Sequence, residues 1–275
     1  MAANENGALP QAQTPIRRHT RQFASLRCVM ALMIREMATR YGRSVGGYVW
    51  AFLEPLAGIL ILSLGFSLLV RNPPLGNSFI VFYATGILPF GLYQKLSSLI
   101  GRAINFSRSL LFYPAITWLD AILARLLLTS ITEILVMIIL MTTLLQITDT
   151  RIVLEFSPIL QSIALAILVG IGIGILNCAI FGLFPVWMQI WDIATRPMLL
   201  ISGVIFLYDD LGPFAQNILW YNPLMHITGL MRRGFYPHYQ GEYVNVTYVI
   251  TVGLVSMFLG LLLMRRHHRD IINNR

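Results

Sequence analysis

The sequence predicts an all-α, polytopic membrane protein of about six transmembrane helices, and three observations carry that prediction. The first is composition: of 275 residues, 56% are hydrophobic and only 12% charged, against about 25% charged in soluble domains. The second is that the apolar residues gather into runs of about 20, the length that crosses a hydrocarbon core as a helix. The third is where the 20 lysines and arginines fall. Arg17 to Arg43, Lys95 to Arg108 and the tail from Arg265 share one side of the predicted topology, and only Arg71, Arg151, Arg232 and Arg233 fall on the other. That asymmetry predicts both termini on the cytoplasmic face. It also accounts for the net charge of +8 without a nucleic-acid surface, because the basic residues border apolar runs and form no single patch.

The chain opens with residues 1–24, read as a disordered cytoplasmic N-terminus because Asn, Gly, Gln, Pro and Thr fill its first part. No apolar core follows its first arginines, so it does not read as a signal peptide. A basic amphipathic stretch comes next, with Arg35, Arg40 and Arg43 leading through Tyr41, Tyr48 and Trp50 into the first apolar run. Charge followed by an aromatic belt predicts a surface helix ahead of a span. Spans are predicted over Phe52–Val70, Ser78–Leu96, Ile122–Ile147, Ile159–Leu183, Pro185–Leu207 and Val246–Met264. The fifth carries Trp187, Trp191, Asp192, Arg196 and Pro197, too polar for lipid, so it is expected to be buried in protein or to line a cavity. Residues 266–275 form the cytoplasmic tail.

Two stretches fit neither a span nor an ordinary loop. Asn105–Trp118 is too short and polar to cross, yet Leu110, Leu111, Phe112 and Tyr113 precede Pro114 as an apolar tip. It reads equally as a projecting short helix and as a plain interfacial turn. The outer segment Tyr208–Val246 has apolar pieces too short to cross, which predicts re-entrant or interfacial helices.

No catalytic set emerges. The five histidines have no carboxylate and nucleophile at a recognised spacing, and there is no phosphate loop, Cys-x-x-Cys or His-Glu-x-x-His. Neither a metal site nor a disulfide is expected from Cys28 and Cys178. Any use of ATP must therefore sit on another chain. Of the embedded acids, Glu54 is expected to meet a helix N-terminus or an arginine, and Glu133 to hydrogen-bond a neighbouring helix. Trp187, Trp191, Tyr208, Trp220 and Tyr221 gather in the last third. They suit either an interfacial belt or a track of aromatic faces on which sugar rings slide.

Several short motifs in order carry a resemblance. Arg35-Glu36, Arg40-Tyr41, Ser44, Gly47, Trp50 and Pro55 come first. Arg196-Pro197, Ile201-Ser202-Gly203 and Phe206 follow, then Asn222-Pro223-Leu224, His226, Arg232, Gly234 and Tyr236. Over residues 25–265 the chain resembles ABC-2 type permeases of the polysaccharide-export branch. It is most similar to the inner-membrane permeases of group 2 capsular polysaccharide exporters of Gram-negative bacteria. Gly46 departs from the leucine often found before the first glycine of that pattern.

The resemblance implies a multi-pass inner-membrane subunit, not itself an enzyme, whose ATP and magnesium are bound by a partner, a cytoplasmic ABC ATPase dimer. It also implies a second copy of the chain, a lipid-linked acidic glycan as substrate, and a periplasmic copolymerase and outer-membrane channel downstream. Asn105, Arg108, Leu110, Leu111, Phe112, Tyr113 and Pro114 then become candidates for receiving the ATPase's motion. Arg35, Arg40 and Arg43 become candidates for drawing in anionic substrate, with the five aromatic residues along its path. An O-antigen or teichoic-acid exporter permease, or an ABC-2 exporter of a drug or small lipophile, are the alternatives.

Overall fold

The computed structural model describes residues 24–40, 46–113, 116–148 and 153–273, and among these every regular element is a helix. In order they are α1 (Ala24–Arg40), α2 (Val49–Leu69), α3 (Phe79–Gly101), α4 (Ala103–Leu111), α5 (Trp118–Ile147) and α6 (Phe156–Leu183). Then come α7 (Pro185–Thr195), α8 (Met198–Ile201), α9 (Pro213–Leu219), α10 (Pro223–Phe235) and α11 (Val246–Asn273). Among the described residues five stretches are long and apolar enough to cross a membrane: α2, α3 with its continuation α4, α5, α6 and α11.

The fifth predicted span is the departure. The apolar run from Pro185 to Leu207 is covered by α7 and the single turn of α8, then by irregular backbone. Proline weakens a helix interior, because it lacks an N–H and its ring crowds the preceding turn; α2 and α3 run on through Pro55 and Pro89, but the run after α7 does not. Pro197 separates the two helices, and Gly203 (φ +70°) turns the chain away from helical geometry after α8. Within this chain α7 has no buried residue, so one chain alone does not enclose it.

Helix α6 is the centre. It packs on α3, α10 and α11, and small residues set how near the helices come. A Cβ on Gly174 would lie 2.8 Å from Ile100 of α3, and one on Gly260 of α11 would lie 2.6 Å from the Leu176 backbone nitrogen of α6. Helix α3 is buried around most of its circumference, as expected of a helix that is apolar all round. Helix α2 buries only Ala51, Ile59 and Ser63 and leaves Ile61, Leu64, Leu68 and Leu69 exposed. The segment predicted as a tail prolongs α11, and Ile271 is buried beside Gly182 at the end of α6.

At the end opposite α1, α10 packs among α3, α6 and α11 with eleven of its 13 residues buried. Its side chains satisfy the irregular backbone after α8. Asn222 Nδ2 donates to the Ile201 carbonyl at 2.9 Å, and Thr228 Oγ1 to that of Ser202 at 2.9 Å. The Arg232 guanidinium donates to Val204 and Phe206 at 2.9 Å each and lies 4.2 Å over the Phe82 ring. Non-helical backbone away from water is tolerated only with such partners.

Candidate functional site

The basic end is built by α1, α4 and the start of α5. A reciprocal capping box starts α5: the Thr117 hydroxyl accepts from the Asp120 backbone N–H, and Asp120 accepts from the Thr117 N–H at 2.9 Å. Ser25 of α1 donates to the same carboxylate. One and a half turns on, Arg125 Nε lies 3.2 Å from Glu36 of α1, with both side chains buried. Arg125 Nη1 donates to the Leu99 carbonyl at 2.6 Å, and the Phe106 ring of α4 sits 4.5 Å from the guanidinium. Arg35 approaches that ring's centroid at 5.5 Å. A carboxylate, an arginine and an aromatic ring thus join α1, α3, α4 and α5.

Helix α4 is held by its inner face. Ala103, Ile104 and Ser107 are buried. Leu110 packs beside Val29, Leu32 and Ala124, and Leu111 against the main core. Asn105 is exposed and Arg108 half-buried. At the helix end Phe112 and Tyr113 are each 63% exposed. Two large aromatic side chains offered to solvent beside a rigid junction make a surface suited to a partner. The structure has a helix over Ala103–Leu111 with Phe112 and Tyr113 exposed at its end. Pro114 and Arg43 lie outside the described residues, and Arg40 is the last residue of α1.

Between α2, α3 and α8 runs a groove of about 580 Å³ lined by Glu54, Gly58, Ile87, Gly91, Lys95 and Leu199 among others. In it Lys95 Nζ lies 3.0 Å from Glu133 of α5 and 3.2 Å from Glu54 of α2. Beyond the groove, Arg102 pairs with Asp192 of α7 and with Ser98. On α7, Trp187 Nε1 donates to Asn177 Oδ1 of α6 at 3.2 Å, and Trp191 stands one turn further along.

The remaining aromatic candidates belong to the opposite end. Tyr208 stacks on Tyr243 with centroids 4.0 Å apart, and its backbone and hydroxyl exchange hydrogen bonds with Gln216. Trp220 meets His226 edge-on at 5.3 Å and Tyr248 at 5.0 Å, and its Nε1 donates to the Tyr243 carbonyl at 3.3 Å. Both are engaged in packing this cap; Tyr221 alone of the three is openly exposed. Burial shapes the cap's titration. It pushes the Tyr243 phenol up to about 12 and lowers Arg232 to about 10, still cationic at neutral pH. It also holds His226 below the ordinary histidine value.

Within one chain, seven of the eight substrate-path candidates form three groups rather than one path: Arg35 and Arg40 at the basic end, Trp187 and Trp191 on α7, and Tyr208, Trp220 and Tyr221 in the cap. Arg43 is outside the described residues. What sequence reasoning missed is Lys95 as the partner of both Glu54 and Glu133, and Arg102 with Asp192. Charges inside or beside apolar runs were the available signal. Among the described residues no cluster of metal-ligating side chains is present.

Comparison with known proteins bears on this arrangement directly. The ABC-2 type transporter family model matches residues 27–236, from α1 through the end of the cap helix α10. The chain belongs to the ABC-2 type transporter family. It is 30% identical to the polysialic acid transport protein KpsM of Escherichia coli over 246 residues, 90% of this chain and 95% of that protein. It is 27% identical over 245 residues to the capsule polysaccharide export inner-membrane protein CtrC of Neisseria meningitidis serogroup B, 89% of this chain and 92% of that one. BexB of Haemophilus influenzae, also a capsule polysaccharide export inner-membrane protein, is 26% identical with the same coverage. These alignments take in the junction at α1 and α4, the groove and the cap alike.

Proposed function

We propose that this chain is the permease subunit of an ATP-driven exporter that carries lipid-linked acidic capsular polysaccharide across the bacterial inner membrane. The observation that carries this reading is end-to-end similarity to permeases named for capsule export, over about nine-tenths of the chain. In this reading the basic end faces the cytoplasm. The exposed Phe112–Tyr113 tip of α4, backed by the Glu36–Arg125–Phe106 junction, docks on a separate ABC ATPase, which binds ATP and magnesium. ATP-driven movement there passes through Arg125 to α3 and α5 at once.

A second copy of the chain completes the conduit. The apolar outer face of α2 and the unburied α7, with Trp187 and Trp191, supply surfaces that a single chain leaves open. Glycan leaves past the α9–α10 cap toward a periplasmic copolymerase and outer-membrane channel.

The test is a strain lacking this gene, with surface and intracellular polysaccharide quantified separately. Loss of surface capsule with lipid-linked glycan retained inside is expected. Unchanged surface glycan would overturn the reading and leave an exporter of a small lipophile, while loss of O-antigen or teichoic acid alone would reassign the glycan.

A further inference from the structure

The groove of α3 contains an arrangement that the export reading does not require. Lys95 lies in α3 and Arg102 caps its C-terminal end seven residues on, about two turns and roughly 10 Å along the axis, on much the same side. Arg102 stands at the junction where α3 passes into α4, and Ser98 lies between the two cations and bonds Arg102. Each cation is met by a carboxylate from a different flanking helix, Glu54 from α2 and Asp192 from α7. Both helices are loosely packed within this chain: α2 buries three residues and α7 none.

The exposure of the partners is lopsided. Glu54 and Asp192 side chains are 71% and 49% exposed, whereas Lys95 and Arg102 are 19% and 33%. The cations thus belong to the buried, rigid helix, and the carboxylates are the hydrated and replaceable members of each pair. Pairs with so exposed a partner hold weakly, about 0.2–1 kcal/mol. Uncovered cations inside an apolar bundle would be costly, so a weak internal anion keeps them solvated until a better one arrives. The two sites differ among the described residues, because Lys95 retains buried Glu133 when Glu54 leaves, whereas Arg102 keeps the Ser98 hydroxyl and no second carboxylate. The more readily exposed charge is therefore Arg102, just beyond the groove toward the basic end.

We propose that Arg102, with Lys95 as a second rung, is a masked anion-binding site: Asp192 and Glu54 cover these cations in the resting chain, and acidic groups of the cargo, carboxylate or phosphate, displace them. The inference rests on the export reading and names the chemistry by which this permease engages its cargo. It also gives α2 and α7 a role as covers that must part from α3 before an anion can bind.

The test uses the full chain assembled with its ATPase in vesicles, with ATP turnover followed against three probes. These are an oligogalacturonate, which supplies carboxylates without lipid; a polyprenyl phosphate, which supplies phosphate without acidic sugar; and a neutral dextran oligosaccharide. Removing a cover, Asp192→Asn or Glu54→Gln, should lower the half-stimulating concentration of the effective anionic probe about two- to fivefold. Arg102→Gln should raise it by at least as much and make Asp192→Asn silent in the double variant. The exchange Arg102→Asp with Asp192→Arg preserves the pair and so separates loss of the site from loss of assembly. A response to oligogalacturonate assigns the site to glycan carboxylates, and one to polyprenyl phosphate alone assigns it to the lipid anchor; either supports the proposal. An assembled Arg102→Gln complex that responds to both anions as the unaltered protein does would overturn it. If deleting the gene abolishes surface capsule while Arg102→Gln keeps its anion response, the anion site fails and the export reading stands. If deletion leaves surface glycan unchanged, it is the export reading that fails.

Discussion

Replacing Glu36 by alanine tests whether α1 is fastened to the bundle chiefly through Arg125. The substitution leaves the Arg125 guanidinium buried, still 2.6 Å from the Leu99 carbonyl and 4.5 Å from the Phe106 ring, but removes the Glu36 carboxylate beside it. Breaking a buried pair in this way costs about 3–5 kcal/mol. Helix α1 is also held by the Ser25–Asp120 hydrogen bond and by a small apolar contact. Its buried apolar residues are Val29 and Leu32, worth about 3–6 kcal/mol together, in a cluster separate from the main core. The loss is therefore comparable to the whole apolar attachment, and a 3 kcal/mol loss corresponds to more than about a hundredfold in local opening. Amide hydrogen exchange in detergent should show α1 exchanging at least about a hundredfold faster while α6 is unchanged. Glu36→Leu with Arg125→Met should recover most of the protection, because an apolar pair of similar size substitutes well for a buried ion pair. Exchange in α1 of Glu36→Ala within about threefold of the unaltered protein would refute the reasoning, since the pair would then contribute no more than an exposed one.

Two further predictions concern packing and pH. Gly260→Ala should lower stability by about 1–3 kcal/mol, because the new methyl meets Leu176 and Ile175 backbone atoms at 2.6 and 2.9 Å. Gly65→Ala, with nothing within 4 Å, should be neutral or stabilising by up to about 1 kcal/mol, and detergent thermal melts compare the two. His226 accepts the Asn245 N–H at Nδ1 (3.2 Å) and donates from Nε2 to the Trp220 carbonyl (2.8 Å). A proton on Nδ1 would face another donor. Burial already holds this group below its ordinary 6.5, so the unfolded cap binds more protons than the folded one, and cap stability rises with pH through the window below 6.5. Protection of α10 should be full above about pH 6.5 and fall as the solution is acidified below it. His226→Gln should flatten that profile.

The long helices were legible because an apolar run has few alternatives in a membrane. Their ends were less so. The run predicted to stop at Leu96 continues to Gly101, because Lys95 is neutralised from α2 and α5, partners that local composition does not reveal. The fifth run read as one span because Met198, Leu199, Leu200 and Ile201 resume the apolar pattern past Pro197. Chain geometry overruled hydropathy there. The motif residues Asn222 and Arg232 were visible as a resemblance, but their task was not. It depends on carbonyls 21 to 28 positions away, and sequence alone does not announce a hydrogen bond to backbone.

That last arrangement bears on how the protein is made. The backbone around residues 201–206 relies on donors from α10, which leave the ribosome later than the carbonyls they serve. Until Arg232 has been synthesised and has reached its place, those carbonyls need water or the insertion machinery as a substitute, since each left bare in lipid costs several kcal/mol. The half-made chain therefore has four finished crossings but a fifth segment that cannot settle. The irregular segment thus gains its full set of partners only once the chain through Arg232 is present.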